Sequence, residues 1–447
     1  MGYNRKIFAR NKVVMIPQSL FSTTFRLASQ VLLNLKPAHI TRLPEPQPGK
    51  SYMLYAHVPF CEILCPYCSF NRFPFNERKA RQYFGALREE LRLTAKRGYT
   101  FDTLYIGGGT PTILMDELVQ IIDMARDLFG VREVSCETNP NDLDDELVKA
   151  LSSRVQRLSV GVQSFDDDLL RRVNRLERFG SGEQILRRIQ QVAGAFDSLN
   201  IDLIFNFPGQ DEAVIERDIQ MALASNANQL TYYPLMTSPS VRQQLKKTIG
   251  DVTFDREAAF YERIVSLLSP HFDLSTAWTF SRKGRNLIDE YIVKSEEYVG
   301  VGSGSFSYLN GALYVNTFSL NFYQQWVSGG TAPIAGKRRF SRLDQMRYRF
   351  MMDLFGLRLD KKQWQADFGA PPERCLPIEM LAFEKVGAFQ TNTAEEITLT
   401  PRGRYLLVTL MREFFSSINR VRDQARRVVL ASEPQVSPET RLSDAKA

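Results

Sequence analysis

Apolar and polar residues run along this chain in blocks whose period changes, and each change marks an element. From Ser51 the apolar run SYMLYAHV predicts a strand. After it, Ala80, Phe84, Leu87 and Leu91 recur at helical spacing. FDTLYIGGG predicts a strand that runs into glycines, and Leu118, Ile121, Ile122, Ala125 and Leu128 share one helical face. The pairing repeats through EVSCETNP with a helix from Asp144, and through RLSVGVQSF with a helix near Glu183 to Val192. It continues through NIDLIFNFPGQ with a helix from Asp211, and ends at QLTYYPL. Strand–helix alternation of this kind predicts an α/β fold around a parallel sheet, and strands apolar on both faces predict helices packed against it. About six such units suit a partial (βα)6 barrel better than a closed eightfold one. In such sheets chemistry collects at the C-terminal ends of the strands, where the glycines, Glu137, Gln163 and Asp202 fall.

The rhythm is lost on either side of this stretch, which sets the expected domain organisation. Residues 1–50 form a basic extension and linker ending in LPEPQPGK, whose prolines and Gly49 punctuate it. Residues 51–250 carry the barrel. Residues 251–335, with a helix over Ala258 to Leu268 and the run EEYVGVGSGSFSYLNG, extend it on the substrate side with a strand and tight turns. Residues 336–430 form a mainly helical C-terminal domain, in which ITLTPRGRYLL predicts the strand, turn and helix of a winged-helix-like module. Residues 431–447 are polar and read as a disordered tail.

Composition changes this picture little. With 447 residues, 44% hydrophobic and 24% charged, the chain is of ordinary globular make-up. The net charge of +7 reads as a solvated surface with a basic tail, and no nucleic-acid partner is expected. No apolar run is long enough to span a bilayer; Met15 to Lys36, the nearest approach, is interrupted by polar residues and reads as one or two short helices. Membrane contact is not expected. Five cysteines, three of them clustered, do not make a disulfide framework and suit a reducing, cytoplasmic compartment.

The cluster alters the functional picture. HVPFCEILCPYCSF spaces its thiols as Cys61-x3-Cys65-x2-Cys68. A structural zinc wants four ligands, and only His57 stands near as a fourth. A redox pair of Cys65 and Cys68 leaves Cys61 unexplained. Three thiolates can also hold three irons of a cubane cluster and leave the fourth iron open.

This spacing after a strand, with Tyr67 before the last cysteine, resembles the radical S-adenosylmethionine (SAM) superfamily. YIGGGTPT, ETNP, RLSVGVQSF, VNR, NIDLIFNFPGQ and EYVGVGSGSFSYLNG follow in the order seen in the oxygen-independent coproporphyrinogen III oxidase-like family. The resemblance covers residues 51 to about 330 well. It implies a [4Fe-4S] cluster on Cys61, Cys65 and Cys68, one or two SAM molecules, and reductive cleavage of SAM to a 5′-deoxyadenosyl radical. It also implies a tetrapyrrole-type small-molecule substrate and a reduced flavodoxin- or ferredoxin-type electron donor.

Carried over by position, Gly107, Gly108, Gly109 and Thr110 contact the methionine part of SAM, and Glu137 meets its ammonium or ribose side. Asp202 takes a ribose hydroxyl, and the backbone of Phe70 meets adenine. Tyr55, Gln163 and Arg175 occupy further SAM-contact positions. His57 is expected to set the loop rather than bind iron, and Cys136 to fill an apolar gap. No catalytic side chain is assigned beyond these.

The family divides into branches, and the sequence points in three directions. The oxidase proper has a further cysteine at the position of Phe70 and a Tyr- and Pro-rich N-terminal stretch, both absent here. The haem-chaperone branch shares the Cys-x-Phe ending of CSF but carries a His-Asn pair where this chain has Arg285 and Asn286. Radical methyltransferases that use two SAM molecules, including enzymes that open haem anaerobically, are similar around Gly302-Ser303-Gly304. Trp278, Phe280 and Phe306 are expected in the core; in a second reading they line a planar tetrapyrrole pocket, with Arg282 or Arg285 binding propionates.

Overall fold

The computed structural model of the chain describes residues 25–27, 29–30, 33–284 and 297–432. Arg285 and Asn286, the part of the expected helical segment before Phe25, and the tail after Ser432 lie outside the described residues.

Six parallel strands form the centre: β2 (Tyr52–Val58), β3 (Phe101–Gly108), β4 (Glu133–Thr138), β5 (Arg157–Gln163), β6 (Ser198–Phe205) and β7 (Gln229–Pro234), after an outlying β1 (Lys36–Ile40). A helix follows each central strand, beginning with Glu77–Ala95 after β2 and Met115–Phe129 after β3. Ile106, Val134, Leu158, Val160 and Ile201 are fully buried between sheet and helices. Each such side chain contributes about 1.5–3 kcal/mol of transfer free energy. Polar caps start the helices where the sequence predicts them. The Asn76 and Asp144 carboxamide and carboxylate oxygens accept from Lys79 N and Leu147 N, and Ser181 makes a capping box with Gln184. One detail differs from the expected periodicity: Leu128 is 38% exposed, and Phe129 takes the buried place in that stripe.

The sheet is wider than the six units. After β7 the chain forms an antiparallel hairpin, β8 (Phe272–Leu274) with β9 (Thr279–Arg282), and β9 pairs with β7. It then crosses to the opposite edge. There β10 (Tyr298–Val301) lies parallel to β2, followed by β11 (Phe306–Leu309), β12 (Ala312–Asn316) and β13 (Ile334–Arg339). The order across the sheet is β1-β13-β12-β11-β10-β2-β3-β4-β5-β6-β7-β9-β8, thirteen strands in all among the described residues. The region expected as one barrel extension is therefore divided between both edges. The N-terminal leader also departs from a simple linker, because Lys36, Pro37 and Ile40 pair with Lys337, Gly336 and Ile334 as an edge strand.

Beyond the sheet, β14 (Arg358–Asp360), β15 (Phe389–Asn392) and β16 (Glu396–Leu399) form a small antiparallel sheet with helices around it. The strand, turn and helix expected from ITLTPRGRYLL are present as β16 and the helix Pro401–Ser432, with Pro401 at its first position. That last helix runs back to the barrel.

Candidate functional site

The cysteine loop leaves the end of β2 and is closed at its base. Phe73 N donates to Pro59 O at 2.6 Å and Phe75 N to Cys61 O at 2.9 Å, so residues 59–75 form a tied loop. Inside it, Arg72 Nη2 donates to the carbonyls of Cys65 (2.6 Å) and Cys68 (3.0 Å). The His57 ring makes hydrogen bonds to the Tyr55 hydroxyl and the Asn71 carbonyl, both at 2.8 Å. With both ring nitrogens engaged, His57 orders the loop and offers no lone pair as the fourth ligand of a zinc ion.

The glycine triplet at the end of β3 packs beneath this loop. A methyl group at Gly109 would stand 2.5 Å from the Phe60 carbonyl oxygen, one at Gly108 2.5 Å from the His57 ring, and one at Gly107 2.6 Å from the Glu137 carboxylate. Side chains are thus excluded by the approach of the loop at Gly109 and of the neighbouring strands' His57 and Glu137 at Gly108 and Gly107. Gly108 and Gly109 reach the cavity wall, while Gly107 lies behind it. Thr110 N donates to Phe60 O at 2.7 Å, and its hydroxyl accepts from Asn139 Nδ2 at 2.8 Å.

The next strand ends supply acids and amides. Glu137 accepts from the Tyr105 hydroxyl at 2.6 Å and from Gly108 N at 3.0 Å. Gln163 sits at a register shift between β5 and β6 with φ of 74°, a conformation that turns its side chain out of the strand pattern. Asp202 accepts from the Ser159 hydroxyl (2.7 Å) and Asn200 Nδ2 (2.9 Å). Burial pushes its carboxyl up to about 6, against the lowering effect of Arg157 and Ser159.

Arg175, which a sequence reading could leave on the surface, is buried. Its guanidinium donates to Cys65 Sγ at 3.6 Å, to Asn139 Oδ1 at 3.4 Å and to Gly161 O, and lies over the Phe179 ring at 4.1 Å.

Together these groups line one cavity of about 380 Å³. Of the residues singled out in the sequence, Tyr55, Phe70, Gly108, Gly109, Thr110, Glu137, Gln163, Arg175, Asp202 and all three cysteines lie on its wall. Trp278 and Phe306 join them. Phe280 and Arg282 do not: Phe280 is buried elsewhere, and Arg282 donates to Ala227 O at 3.2 Å while lying over Phe272. Trp278 stands just before β9 and outside its alternation, whereas Phe280 and Arg282 lie within the strand two residues apart and share one face. Sequence reasoning missed Arg72, Tyr105 and Asn139. It also missed an entire wall supplied by the C-terminal helix through Phe414, Phe415, Ile418, Asn419 and Arg422. The signal for that wall was present as Phe414, Ile418 and Arg422, spaced four apart on one helical stripe.

The cysteine end suits an anionic iron–sulfur group. Three uncombined thiols meet two guanidiniums there. The Arg72 Nε and Nη1 donors and the Arg175 Nε donor are buried without a hydrogen-bond partner among the described residues. Such donors are costly unless negative charge satisfies them. Burial pushes the Cys61 thiol up to about 12, with Cys68 adding to the rise and Arg72 opposing it, so a bound cation is what would bring it to thiolate. Among the described residues no three His, Cys, Asp or Glu side chains converge as a single metal ion requires. Thiolates of a cluster bind separate irons and need no such convergence.

Comparison with known proteins follows the same lines. Residues 55–222 match the model of the Radical SAM superfamily. Over 371 residues the chain is 28% identical to the heme chaperone HemW of Bacillus subtilis (strain 168), a match covering 79% of this chain and 96% of that protein. It is 26% identical over 402 residues to coproporphyrinogen III oxidase, anaerobic 1, of Cereibacter sphaeroides, covering 82% and 87% respectively. Among solved structures, coproporphyrinogen III oxidase (HemN) from Escherichia coli superposes with a TM-score of 0.69 at 22% identity, over 87% of this chain and 92% of that one. That likeness establishes a shared fold.

Proposed function

The chain carries a radical SAM domain and groups with heme chaperones and oxygen-independent coproporphyrinogen III oxidases, and from that premise we propose that it is a [4Fe-4S] enzyme acting on a porphyrin- or haem-type molecule. The observation that carries this reading is one cavity shared by the thiols and a set of aromatic rings. The loop with the three thiols opens into the same cavity as Trp278, Phe306, Phe414 and Phe415, whose rings suit a flat apolar ligand.

In this reading Cys61, Cys65 and Cys68 hold the cluster. When bound, it supplies the electron for reductive cleavage of SAM to a 5′-deoxyadenosyl radical. The chain's own residues bind and orient. Arg72 fixes the loop through the Cys65 and Cys68 carbonyls, and Arg175 sets charge against the Cys65 sulfur. Gly108, Gly109 and Thr110, on the cavity wall beside the loop, meet the methionine part of SAM. Glu137, already oriented by Tyr105 and Gly108 N, faces its ammonium or ribose side. Asp202 takes a ribose hydroxyl, Gln163 and Tyr55 complete the cradle, and the Phe70 backbone meets adenine. The aromatic chamber keeps water from reactive groups. A reduced flavodoxin or ferredoxin is the electron donor of this reading.

A second reading, a haem chaperone that keeps the cluster without turnover, is favoured by the similarity to HemW and by Ser69-Phe70 in place of a fourth cysteine. The turn Gly302-Ser303-Gly304 brings Gly304 and Ser305 to the cavity wall, which supports a methyl-transfer or ring-opening outcome with a second SAM. Anaerobic reconstitution separates these readings. About four irons per chain are expected, lost on replacing any one of the three cysteines with alanine. SAM with reductant should then yield 5′-deoxyadenosine, and haem should be converted to a methylated or ring-opened product. Haem bound stoichiometrically but recovered unchanged would select the chaperone; zinc in place of iron would overturn both.

A further inference from the structure

The cavity wall divides by chemistry. At the thiol end, Arg72 and Arg175 are committed to the cysteine loop through the Cys65 and Cys68 carbonyls and the Cys65 sulfur. Between Phe70 of that loop and Phe306, a third guanidinium enters from a different element. Arg422, on the C-terminal helix, lies 5.0 Å from the centre of the Phe70 ring and 5.7 Å from that of Phe306. Its Nη1 donates to Asn419 Oδ1 at 2.8 Å, one turn back on the same helix, and both residues line the cavity.

The backbone beneath it is also held. The adjacent Asp423 accepts from Ser240 N at 3.1 Å and from the Ser240 hydroxyl at 2.6 Å, pinning this turn of the helix against the end of β7 and the helix after it. A guanidinium that lies near two aromatic rings and is held by Asn419 on the wall of the cavity is oriented before any ligand arrives. Its planar donor fork matches a carboxylate, and the low polarity of the surrounding wall strengthens that pairing.

We propose that Arg422 recognises a carboxylate substituent of a flat, aromatic-faced substrate whose ring plane rests on the chamber of which Phe306, Phe414 and Phe415 are part. This rests on the tetrapyrrole-type reading given above and deepens it by assigning the acid-binding residue to the C-terminal helix. Carboxylate could also come from the methionine part of SAM, so the two sources must be separated by experiment.

The full-length protein is titrated anaerobically with haem and with haem dimethyl ester, followed by absorbance, and SAM binding is measured separately by equilibrium dialysis. In Arg422→Gln, haem affinity should fall by about tenfold or more, the scale of losing a hydrogen bond to a charged group. The dimethyl ester, which lacks the charge, should bind the unsubstituted protein and Arg422→Gln alike, and SAM binding should be unchanged, which also reports that the variant is folded. Arg422→Lys, which keeps the charge without the fork, should lie between the two. Equal haem affinity in Arg422→Gln and the unsubstituted protein overturns the inference, as does an equal loss for the ester. Loss of SAM binding with haem binding retained assigns the residue to the cofactor and overturns it too. If the unsubstituted protein binds neither haem nor its ester, the tetrapyrrole reading itself falls, and this inference with it.

Discussion

A methyl group on Gly109 would meet the Phe60 carbonyl oxygen at 2.5 Å and its amide nitrogen at 2.8 Å, backbone atoms that cannot swing aside. Gly109→Ala is therefore expected to destabilise the apo protein by about 1–3 kcal/mol, read by chemical denaturation. Phe60 precedes Cys61, so iron content after reconstitution should fall as well; full iron incorporation with unchanged stability would contradict this account. The need for small residues at 107–109 was legible in the sequence, because a strand running into three glycines implies a close approach. What approaches was not legible: the partners Phe60, His57 and Glu137 come from two other strands and the loop. The same limit applies to Arg175. Its place in the motif order was readable, but its burial is created by Gly161, Asn139 and Cys65, which the chain brings together only on folding. Arg72 carried no signal at all, since an arginine four residues after the last cysteine looks like any loop charge.

Among elements, the central strands were readable because short apolar runs recur between helical periods, with Leu104 and Ile106, Leu158 and Val160, and Leu199 and Ile201 buried, although β4 to β7 alternate such residues with polar ones such as Ser135, Ser159 and Asn200. The outer strands obey long-range pairing instead. Nothing local in EYVGVGS says that it will lie beside β2 after the chain has crossed from the far edge. That docking is reinforced by Glu90 on the helix Glu77–Ala95, whose carboxylate accepts from Gly302 N (2.7 Å), Asn316 Nδ2 (2.8 Å) and the Tyr323 hydroxyl (2.6 Å). Helical periodicity gives Glu90 no special mark, yet it holds the turn that reaches the cavity. Burial pushes its carboxyl up to about 7, more than the three donors pull it down. The sign follows from linkage. Between about pH 4.5 and 7 the folded protein keeps a proton on Glu90 that the unfolded chain has lost, so this group's contribution to stability falls as pH rises through that window. Glu90→Gln should flatten the pH dependence there by up to about 1.4 kcal/mol per pH unit, measured by urea denaturation at several pH values. Parallel slopes in the two proteins would mean that Glu90 does not hold the proton.

For the whole molecule, the decisive contact is the return of the C-terminal helix to the barrel, because it completes the cavity. A wholly buried ionic group ties the two. Arg412, 1% exposed, donates to Glu257, 0% exposed, and to Glu413 at 2.8 Å, while its guanidinium lies 3.8 Å from the centre of the Phe254 ring. Tyr405 adds a hydrogen bond to Glu257 at 3.1 Å, and Arg26 from the N-terminal leader reaches Glu413 at 2.6 Å. One cluster thus joins the leader, the helix Glu257–Leu268 and the last helix, the parts that the sequence presents as three separate regions. Such a cluster is costly to desolvate, and its main effect is to make each partner dependent on the others. Glu257→Leu should cost about 3–5 kcal/mol by leaving the buried positive charge under-compensated. The double variant Glu257→Leu with Arg412→Leu should cost less than the single one, since Glu413 keeps Arg26. Hydrogen exchange should locate the damage: in Glu257→Leu, the amides of Tyr405 to Ser417 should exchange faster while those of β3 and β4 keep their protection. A double variant as unstable as the single, or exchange that rises evenly across the sheet, would mean that the helix is held to the barrel by its apolar stripe alone.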